Sequence, residues 1–209
     1  PIPLPPLEEQ KRIAGILNEQ MAAVEEAKKA AQQRLEAAKA LPAAYLREVF
    51  PSSEDELPAG WKWVKLGDVC AVKAKMVDPR EEQYQGMFHI NGENIESGTG
   101  QINNVKTIRE LGMISGKYFF AKGDVLYSKL RPYLMKVGIA EFDGLCSADM
   151  YPLTMDANVM DSSWVRWLLL ESRFTKYAID ESSRSRMPKL NRQQPVSYTH
   201  LTLPTKRIV

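Results

Sequence analysis

Pro1-Ile2-Pro3-Leu4-Pro5-Pro6-Leu7-Glu8-Glu9-Gln10 opens the chain, and the stretch runs on as one helical pattern to Phe50. Proline fixes φ and lacks an N–H, so the prolines form an extended lead-in and helix begins at Leu7. Glu8 and Glu9 then fall in the first turn, where the helix dipole favours negative charge. Beyond them the apolar positions step by four and three through Leu17, Met21, Val24, Ala31, Leu35, Ala38, Tyr45 and Val49, interrupted by Lys28 and Pro42. That is the spacing of a coiled-coil seam. An ordinary amphipathic helix packed on its own domain shows the same period. Helices of globular domains average about 11–12 residues, however, and the length here favours a coiled-coil arm over residues 1–50. Alanines dominate residues 22–44; they favour helix and let a partner helix approach closely. Pro42 is expected either to kink the arm or to start a second short helix over residues 42–50. Acids and bases balance along the arm, so its charge does not mark it as a nucleic-acid surface. Its apolar stripe calls for another helix.

The chain has 209 residues, enough for one well-packed domain beside such an arm. Its 28 Lys and Arg against 26 Asp and Glu give a net charge of +2, so any nucleic-acid argument rests on where charge sits. Cys70 and Cys146 are the only cysteines and stand far apart, which suits a reducing cytosol and gives no zinc or disulfide pattern. No stretch approaches the roughly 20 apolar residues that span a bilayer, and no signal peptide is visible, so no membrane role is expected. The start at Pro1, inside a motif, suggests a fragment of a longer protein.

Residues 51–60 hold Pro51, Pro58, Gly60 and the acids Glu54, Asp55 and Glu56, and have the composition of a linker. From Trp61 the pattern changes to short strand-like runs punctuated by turns, at residues 61–66, 70–76, 87–95, 101–105, 118–121, 124–128, 136–142 and 145–155. Helical patterns follow at 162–172, with Ser162 as the N-cap, and at 174–180. The fold class is therefore α+β: a long coiled-coil-type arm, then one mixed, bent sheet with helices at its C-terminal end.

The residues from Pro3 to Gln10, with the helix end Tyr45-Leu46-Arg47-Glu48-Val49-Phe50, resemble the central conserved region of the specificity subunits of type I restriction-modification enzymes. Those proteins carry two target-recognition domains separated by two long helices, each behind a proline-rich entry. A second set supports the match. Ala121-Lys122-Gly123-Asp124-Val125-Leu126-Tyr127-Ser128-Lys129-Leu130-Arg131-Pro132-Tyr133, Gly144-Leu145-Cys146-Ser147-Ala148-Asp149-Met150 and Arg186-Met187-Pro188-Lys189-Leu190-Asn191 resemble the core of a target-recognition domain. Residues 61–70 resemble its usual opening. The resemblance covers residues 1–194, so residues 61–194 are expected to be the second target-recognition domain. Residues 195–209 depart from it; they resemble a translated adaptor-like tail and are expected to be non-native.

The resemblance implies a non-catalytic subunit that binds duplex DNA in the cytoplasm and directs restriction and adenine methylation to a split site. The arm would act as a ruler and a docking surface for methyltransferase subunits. S-adenosylmethionine, ATP and magnesium would sit on those subunits and on a restriction and motor subunit, with no cofactor on this chain. The seam residues Leu17, Met21, Val24, Ala31, Leu35 and Ala38 would form the helical interface, and a chain with one such helix should self-associate.

Two basic spans fit DNA binding. Lys117, Lys122, Lys129, Arg131 and Lys136 are opposed by Asp124 alone, with Tyr127 and Tyr133 interleaved; Arg184, Arg186, Lys189 and Arg192 follow later. On composition alone such spans are solvated faces, and the resemblance is what turns them into a DNA surface. Base reading needs forked donors and amides, for which Asn91, Asn94, Asn103, Asn104, Arg131, Arg184 and Arg186 are candidates, while the four asparagines serve equally as turn residues. The DNA-binding set is thus Asn91, Asn94, Lys129, Arg131, Tyr133, Lys136, Arg184, Arg186 and Lys189. Asn103 and Asn104 fit a turn better.

Enzymatic signals are poor. His89 sits in a strand-like run and is structural in character, and His200 lies in the tail. No glycine-rich nucleotide loop or aminomethyltransferase motif is present, and Asp68, Asp78, Glu81 and Glu82 form no convincing nuclease or metal set. A surface ion pair explains Glu26-Ala27-Lys28. Trp164 and Trp167 have core spacing. Two other readings stand beside the DNA-reading one: a fused nuclease or methyltransferase, and a coiled-coil scaffold with a globular head and no DNA role.

Overall fold

The computed structural model describes residues 2–52, 54–73, 75–182 and 188–198, and the backbone of 201–204. It divides into two compact units, Pro1–Tyr45 and Leu46–Val209.

The first unit is the bulk of one helix, α1 (Leu7–Val49), which passes through Pro42 without interruption. Of the two outcomes expected at Pro42, a second short helix does not form. Its start is fixed as the sequence suggests: Gln10 donates its backbone N–H to the Pro6 carbonyl and its side-chain amide to the Pro5 carbonyl. No residue of α1 is buried. The seam residues Leu17, Met21, Val24 and Leu35 are 45–57% exposed, and Ala31 and Ala38 are exposed beside them. Ion pairs one turn apart, Glu8–Lys11, Glu9–Arg12, Glu25–Lys28 and Glu36–Lys39, decorate the helix. Lys28 therefore pairs with Glu25 rather than Glu26.

The second unit begins inside the last helical turn, and Phe50, expected to end the arm, is core at 3% exposure. Its ring lies 4.7 Å from Trp164, which meets Trp61 edge-on at 5.5 Å. Arg173 donates to the Phe50 carbonyl and pairs with Glu171 at 3.1 Å. A cation thus satisfies an orphan carbonyl where a helix ends.

Strands follow in short pieces: β1 (Trp61–Val64), β2 (Cys70–Val72), β3 (Met76–Val77), β4 (Phe88–Ile90), β5 (Lys106–Thr107), β6 (Lys117–Phe120), β7 (Val125–Ser128), β8 (Val137–Ile139), β9 (Gly144–Cys146) and β10 (Met150–Met155). Short helices α2 (Glu82–Gln85) and α3 (Ile108–Leu111) sit among them, and α4 (Ser162–Leu170), α5 (Ser172–Ser182) and α6 (Gln193–Val196) follow. The α+β class holds, but the strands are shared among sheets rather than forming a single bent one. A four-stranded antiparallel sheet has the order β2-β10-β7-β8; a five-stranded sheet has the order β3-β6-β9-β4-β5, in which β4 and β9 run parallel. The run at 101–105 is not a strand; only an isolated bridge joins Ile102 to Ile95.

The four-stranded sheet lies between two apolar layers. Val125 and Tyr127 of β7, with Tyr151 and Leu153 of β10, face Val165, Leu168, Leu169 and Phe174 of the helices. Leu126 and Met150 point the other way, toward Ile90, Tyr118, Phe120 and Cys146 of the five-stranded sheet. This is the strand alternation expressed on both faces, so every residue of β7 is buried. Asp161 rather than Ser162 caps α4, accepting from the Trp164 N–H at 3.0 Å. Trp164 joins the core margin as expected, whereas Trp167 is 39% exposed under the Arg166 guanidinium at 4.0 Å.

The turn before β7 is fixed by Gly123 at φ +91° and by the buried Asp124. That carboxylate accepts from the Ala121 N–H at 2.8 Å, the Thr154 hydroxyl at 2.8 Å and the Lys73 ammonium at 2.6 Å. It ties β7, β10 and the end of β2 together. The segment expected to be a foreign tail is packed in part: Pro195 and Tyr198 are buried, and Tyr198 meets Phe174 edge-on at 5.0 Å. The backbone of β11 (Leu201–Pro204) pairs antiparallel with β1.

Both cysteines are free and buried, and burial pushes each thiol up to about 12, which leaves them inert. His89 is 3% exposed on β4, and its Nε2 lacks a hydrogen-bond partner among the described residues. Burial, then the Lys117 charge, lowers its pKa to about 4, so it is neutral in the fold.

Truncating the aromatic wedge should be costly. Phe50→Ala is expected to lower unfolding stability by about 3–5 kcal/mol in chemical denaturation, because the void is ringed by Trp164 and neighbouring core. A loss under about 1 kcal/mol would show that the wedge is dispensable. His89 gives a pH signature. Between an unfolded pKa near 6.5 and a folded value of about 4, only the unfolded chain binds the proton. Stability is therefore full above that window and falls as pH drops through it, by on the order of 3 kcal/mol when complete. Denaturant midpoints at pH 7 and pH 5 should diverge in the parent and converge in His89→Leu; an unchanged acid slope in the variant would assign the effect elsewhere.

Candidate nucleic-acid interface

The two basic spans, distant in sequence, meet through the main chain. Beyond β7 the strand continues as Lys129-Leu130-Arg131, and residues 188–190 lie antiparallel beside it. The Arg131 N–H donates to the Pro188 carbonyl and the Leu190 N–H to the Lys129 carbonyl, each at 3.0 Å, around the bridge between Leu130 and Lys189. The buried Tyr151 hydroxyl donates to the Leu190 carbonyl at 3.0 Å and holds the added segment down on β10.

After this pairing the chain turns sharply. Arg131 has φ +49°, a 3₁₀ turn occupies Pro132–Leu134, and Met135 has φ +46°. Left-handed backbone is uncommon outside glycine and marks an over-determined loop. The turn is closed by bonds from the Leu134 N–H to the Arg131 carbonyl and from the Met135 N–H to the Pro132 carbonyl, both at 2.9 Å. Proline at the first position of the turn supplies the φ it needs and has no N–H to lose. The motif Lys129-Leu130-Arg131-Pro132-Tyr133 is thus a device for presenting Arg131 and Tyr133, both exposed, from a rigid strand end.

Opposite stands the loop from β4 to β5. Asn94 clasps it, accepting from the Asn91 N–H at 2.9 Å and donating to the carbonyls of Asn103 and Asn104 at 3.1 and 3.0 Å. Gly100 is packed so tightly on β8 that a Cβ would lie 2.1 Å from the Val137 carbonyl oxygen, and its φ of +73° also selects glycine. Lys136 reaches across and donates to the Gly92 carbonyl. Between the loop and the turn lies a cavity of about 320 Å³ lined by Asn91, Gly92, Glu93, Ser128, Leu130, Arg131, Leu134, Lys136, Ser147 and Asp149.

The structure therefore brings Asn91, Arg131 and Lys136 around one cavity, with Lys129, Tyr133 and Lys189 at its margin. It does not leave them equally free. Lys129 is buried, donates to the Ala148 carbonyl and lies 5.2 Å over the Tyr151 ring. Its ammonium is 3.7 Å from an Asp149 oxygen that stands 3.5 Å from Lys189. Burial, and next the Lys189 charge, hold the Lys129 pKa below its ordinary value. Lys129 supplies positive potential and shapes the wall; it is not a free phosphate anchor. Asn94 likewise spends its amide on the loop, in keeping with the turn role its sequence context also offers. Asn104, at φ +55°, is the turn residue its sequence context suggests. Arg184 and Arg186 lie outside the described residues. Sequence reasoning missed Ser128, Ser147 and Asp149 as cavity residues. The signal was their place inside the two core motifs, whose strands β7 and β10 are neighbours.

Among the described residues there is no cluster of three or more His, Cys, Asp or Glu able to hold a metal, and no helix long and apolar enough to cross a membrane. Asp78 and Glu82 face Arg80 at 2.6 Å and Arg109 at 2.7 Å. The Arg80 hydrogen bonds hold the Asp78 carboxyl down at about 2.

No family model matches the chain. Over 138 residues, 66% of the chain, it is 39% identical to the specificity subunit of the type I restriction enzyme EcoDI from Escherichia coli, of which it spans 30%. Two solved structures share the fold over 97% of the chain. One, described as the structural basis of complex assembly and conformational transition of the type I R-M system, matches with a TM-score of 0.72 at 22% identity, over 49% of that chain. The other, the HsdS subunit from Thermoanaerobacter tengcongensis, matches with a TM-score of 0.59 at 23% identity, over 48% of that chain.

Proposed function

We propose that this chain, a homologue of the specificity subunits of type I restriction enzymes, reads one part of a split DNA target and leaves the chemistry to other subunits. The observation that carries the proposal is the main-chain pairing that brings Lys189, from the C-terminal end of the domain, to the margin of a polar cavity lined by Arg131 and Lys136. Local positive charge supplies phosphate affinity, and exposed Arg and Asn donors supply base contacts. Adenine methylation, and the S-adenosylmethionine it consumes, belong in this reading to methyltransferase subunits. ATP-driven translocation and magnesium-dependent cleavage belong to a restriction and motor subunit, the whole acting in the cytoplasm. The inert cysteines and the neutral, buried His89 support a non-catalytic chain.

The exposed seam of α1 supports the partner side of the reading. Leu17, Met21, Val24, Ala31, Leu35 and Ala38 repeat at coiled-coil spacing, and a second helix laid along them would remove their apolar surface from water. Where that helix comes from a second copy, the pair would carry two reading heads.

Sequence selection from a random duplex library, with the chain co-expressed with methyltransferase subunits of this enzyme type, should enrich a short motif and lose binding steeply with salt. Salt-sensitive binding without enrichment would instead favour a basic scaffold whose specificity lies elsewhere. For the arm, sedimentation at micromolar concentration should give a dimer, and Leu17→Asp with Leu35→Asp should dissociate it. A monomeric parent chain would remove self-association from the account.

A further inference from the structure

Within that cavity the cations differ in one respect. Lys129 and Lys136 each donate to a backbone carbonyl, and Lys129 and Lys189 share the Asp149 carboxylate. Arg131 alone among these has no side-chain hydrogen bond or ion pair among the described residues, and it is exposed at the cavity wall. Its backbone is fixed on both sides. Its N–H is bonded to Pro188, its carbonyl receives the Leu134 N–H, and the next residue is a proline. A rigid root under a free guanidinium fork is what bidentate recognition of a planar acceptor pair requires.

A phosphate and a guanine edge both offer such a pair, and the lining of the cavity distinguishes them. Asp149 and Glu93 share the wall with Arg131. Asp149 is matched by Lys129 and Lys189, but Glu93 disfavours a phosphate at that wall, whereas a carboxylate beside a guanine reader can accept from the amino group of the paired cytosine. Ser128 and Ser147 add hydroxyls, and the Asn91 side chain, whose oxygen accepts from the Glu93 N–H at 2.7 Å, keeps its amide N–H groups for a ligand. Mixed donors and acceptors suit a base edge; a cluster of donors would suit a phosphate.

We infer that Arg131 is the specificity-determining residue of this domain and reads a guanine in the major groove, an inference that rests on the DNA-reading function proposed above. The lysines around it set the potential, and Asp149 both holds Lys129 and Lys189 and faces the cytosine side of the same region.

The test is sequence selection with the full chain assembled with methyltransferase subunits, run in parallel on the parent chain, Arg131→Gln and Arg131→Lys, with assembly and circular dichroism checked for each. The expected result is a parent motif containing a guanine at which Arg131→Gln loses discrimination by about tenfold or more, with the remaining positions kept. Glutamine should move the preference there toward adenine, and lysine should keep a weakened preference for guanine. A motif unchanged in Arg131→Gln would overturn the inference while leaving the DNA-reading function standing. Weaker binding to all sequences alike, with a shallower salt dependence, would make Arg131 a phosphate anchor and overturn it equally. A parent complex that enriches no motif would remove the DNA-reading function and the inference with it.

Discussion

Two backbone hydrogen bonds, from Arg131 to Pro188 and from Leu190 to Lys129, hold together what the sequence separates. One wall of the cavity assumes them. The left-handed turn after Leu130 needs a fixed strand end to turn from, and Lys189 reaches Asp149 only because residues 188–190 are pinned beside the extension of β7. Tyr151 guards the same junction from below, its hydroxyl satisfied by the Leu190 carbonyl inside the core. Main-chain bonds do not depend on side-chain chemistry, so the fold secures the frame of the site through the backbone.

The charges inside the domain are arranged around that frame. Asp124 is buried, yet three donors satisfy it and join the turn before β7 to two neighbouring strands. A buried ion pair of this kind adds little net stability over an apolar alternative but fixes one arrangement of the strands, since leaving either partner unmatched is costly. Lys129 follows the same logic at the cavity wall. Its ammonium is held by a carbonyl, an aromatic face and a carboxylate, so its charge is placed rather than free.

Much of this was legible in the sequence. The proline-rich entry and heptad spacing gave the long helix, and the α+β class followed from short strand patterns succeeded by helices. Motif resemblance pointed to segments that line the cavity. What was hidden was hidden for physical reasons. Pro42 fits within the long helix because a single proline removes one donor, and local rules cannot tell tolerance from breakage. Strands as short as β3 and β5 carry too few residues for alternation to show, so their division between sheets was invisible. Asn94 and Asn91 are the same residue type three positions apart, and only the fold decides that one is spent on a loop clasp. Tyr198 was set aside for the company it keeps in sequence, whereas an aromatic beside Phe174 and Tyr177 packs whatever its origin.

The left-handed backbone at Arg131 has an evolutionary consequence. A position held by main-chain bonds at φ +49° restricts which residues can replace arginine there. β-branched side chains are nearly excluded, while Asn, Asp, His and glycine are the easiest occupants, and long unbranched side chains are accepted at modest cost. That surviving alphabet is rich in groups that form hydrogen bonds with nucleobases and poor in purely apolar ones. Drift at this one position would therefore exchange one recognition preference for another more readily than abolish it, and lineages could diverge in preference without rebuilding the domain.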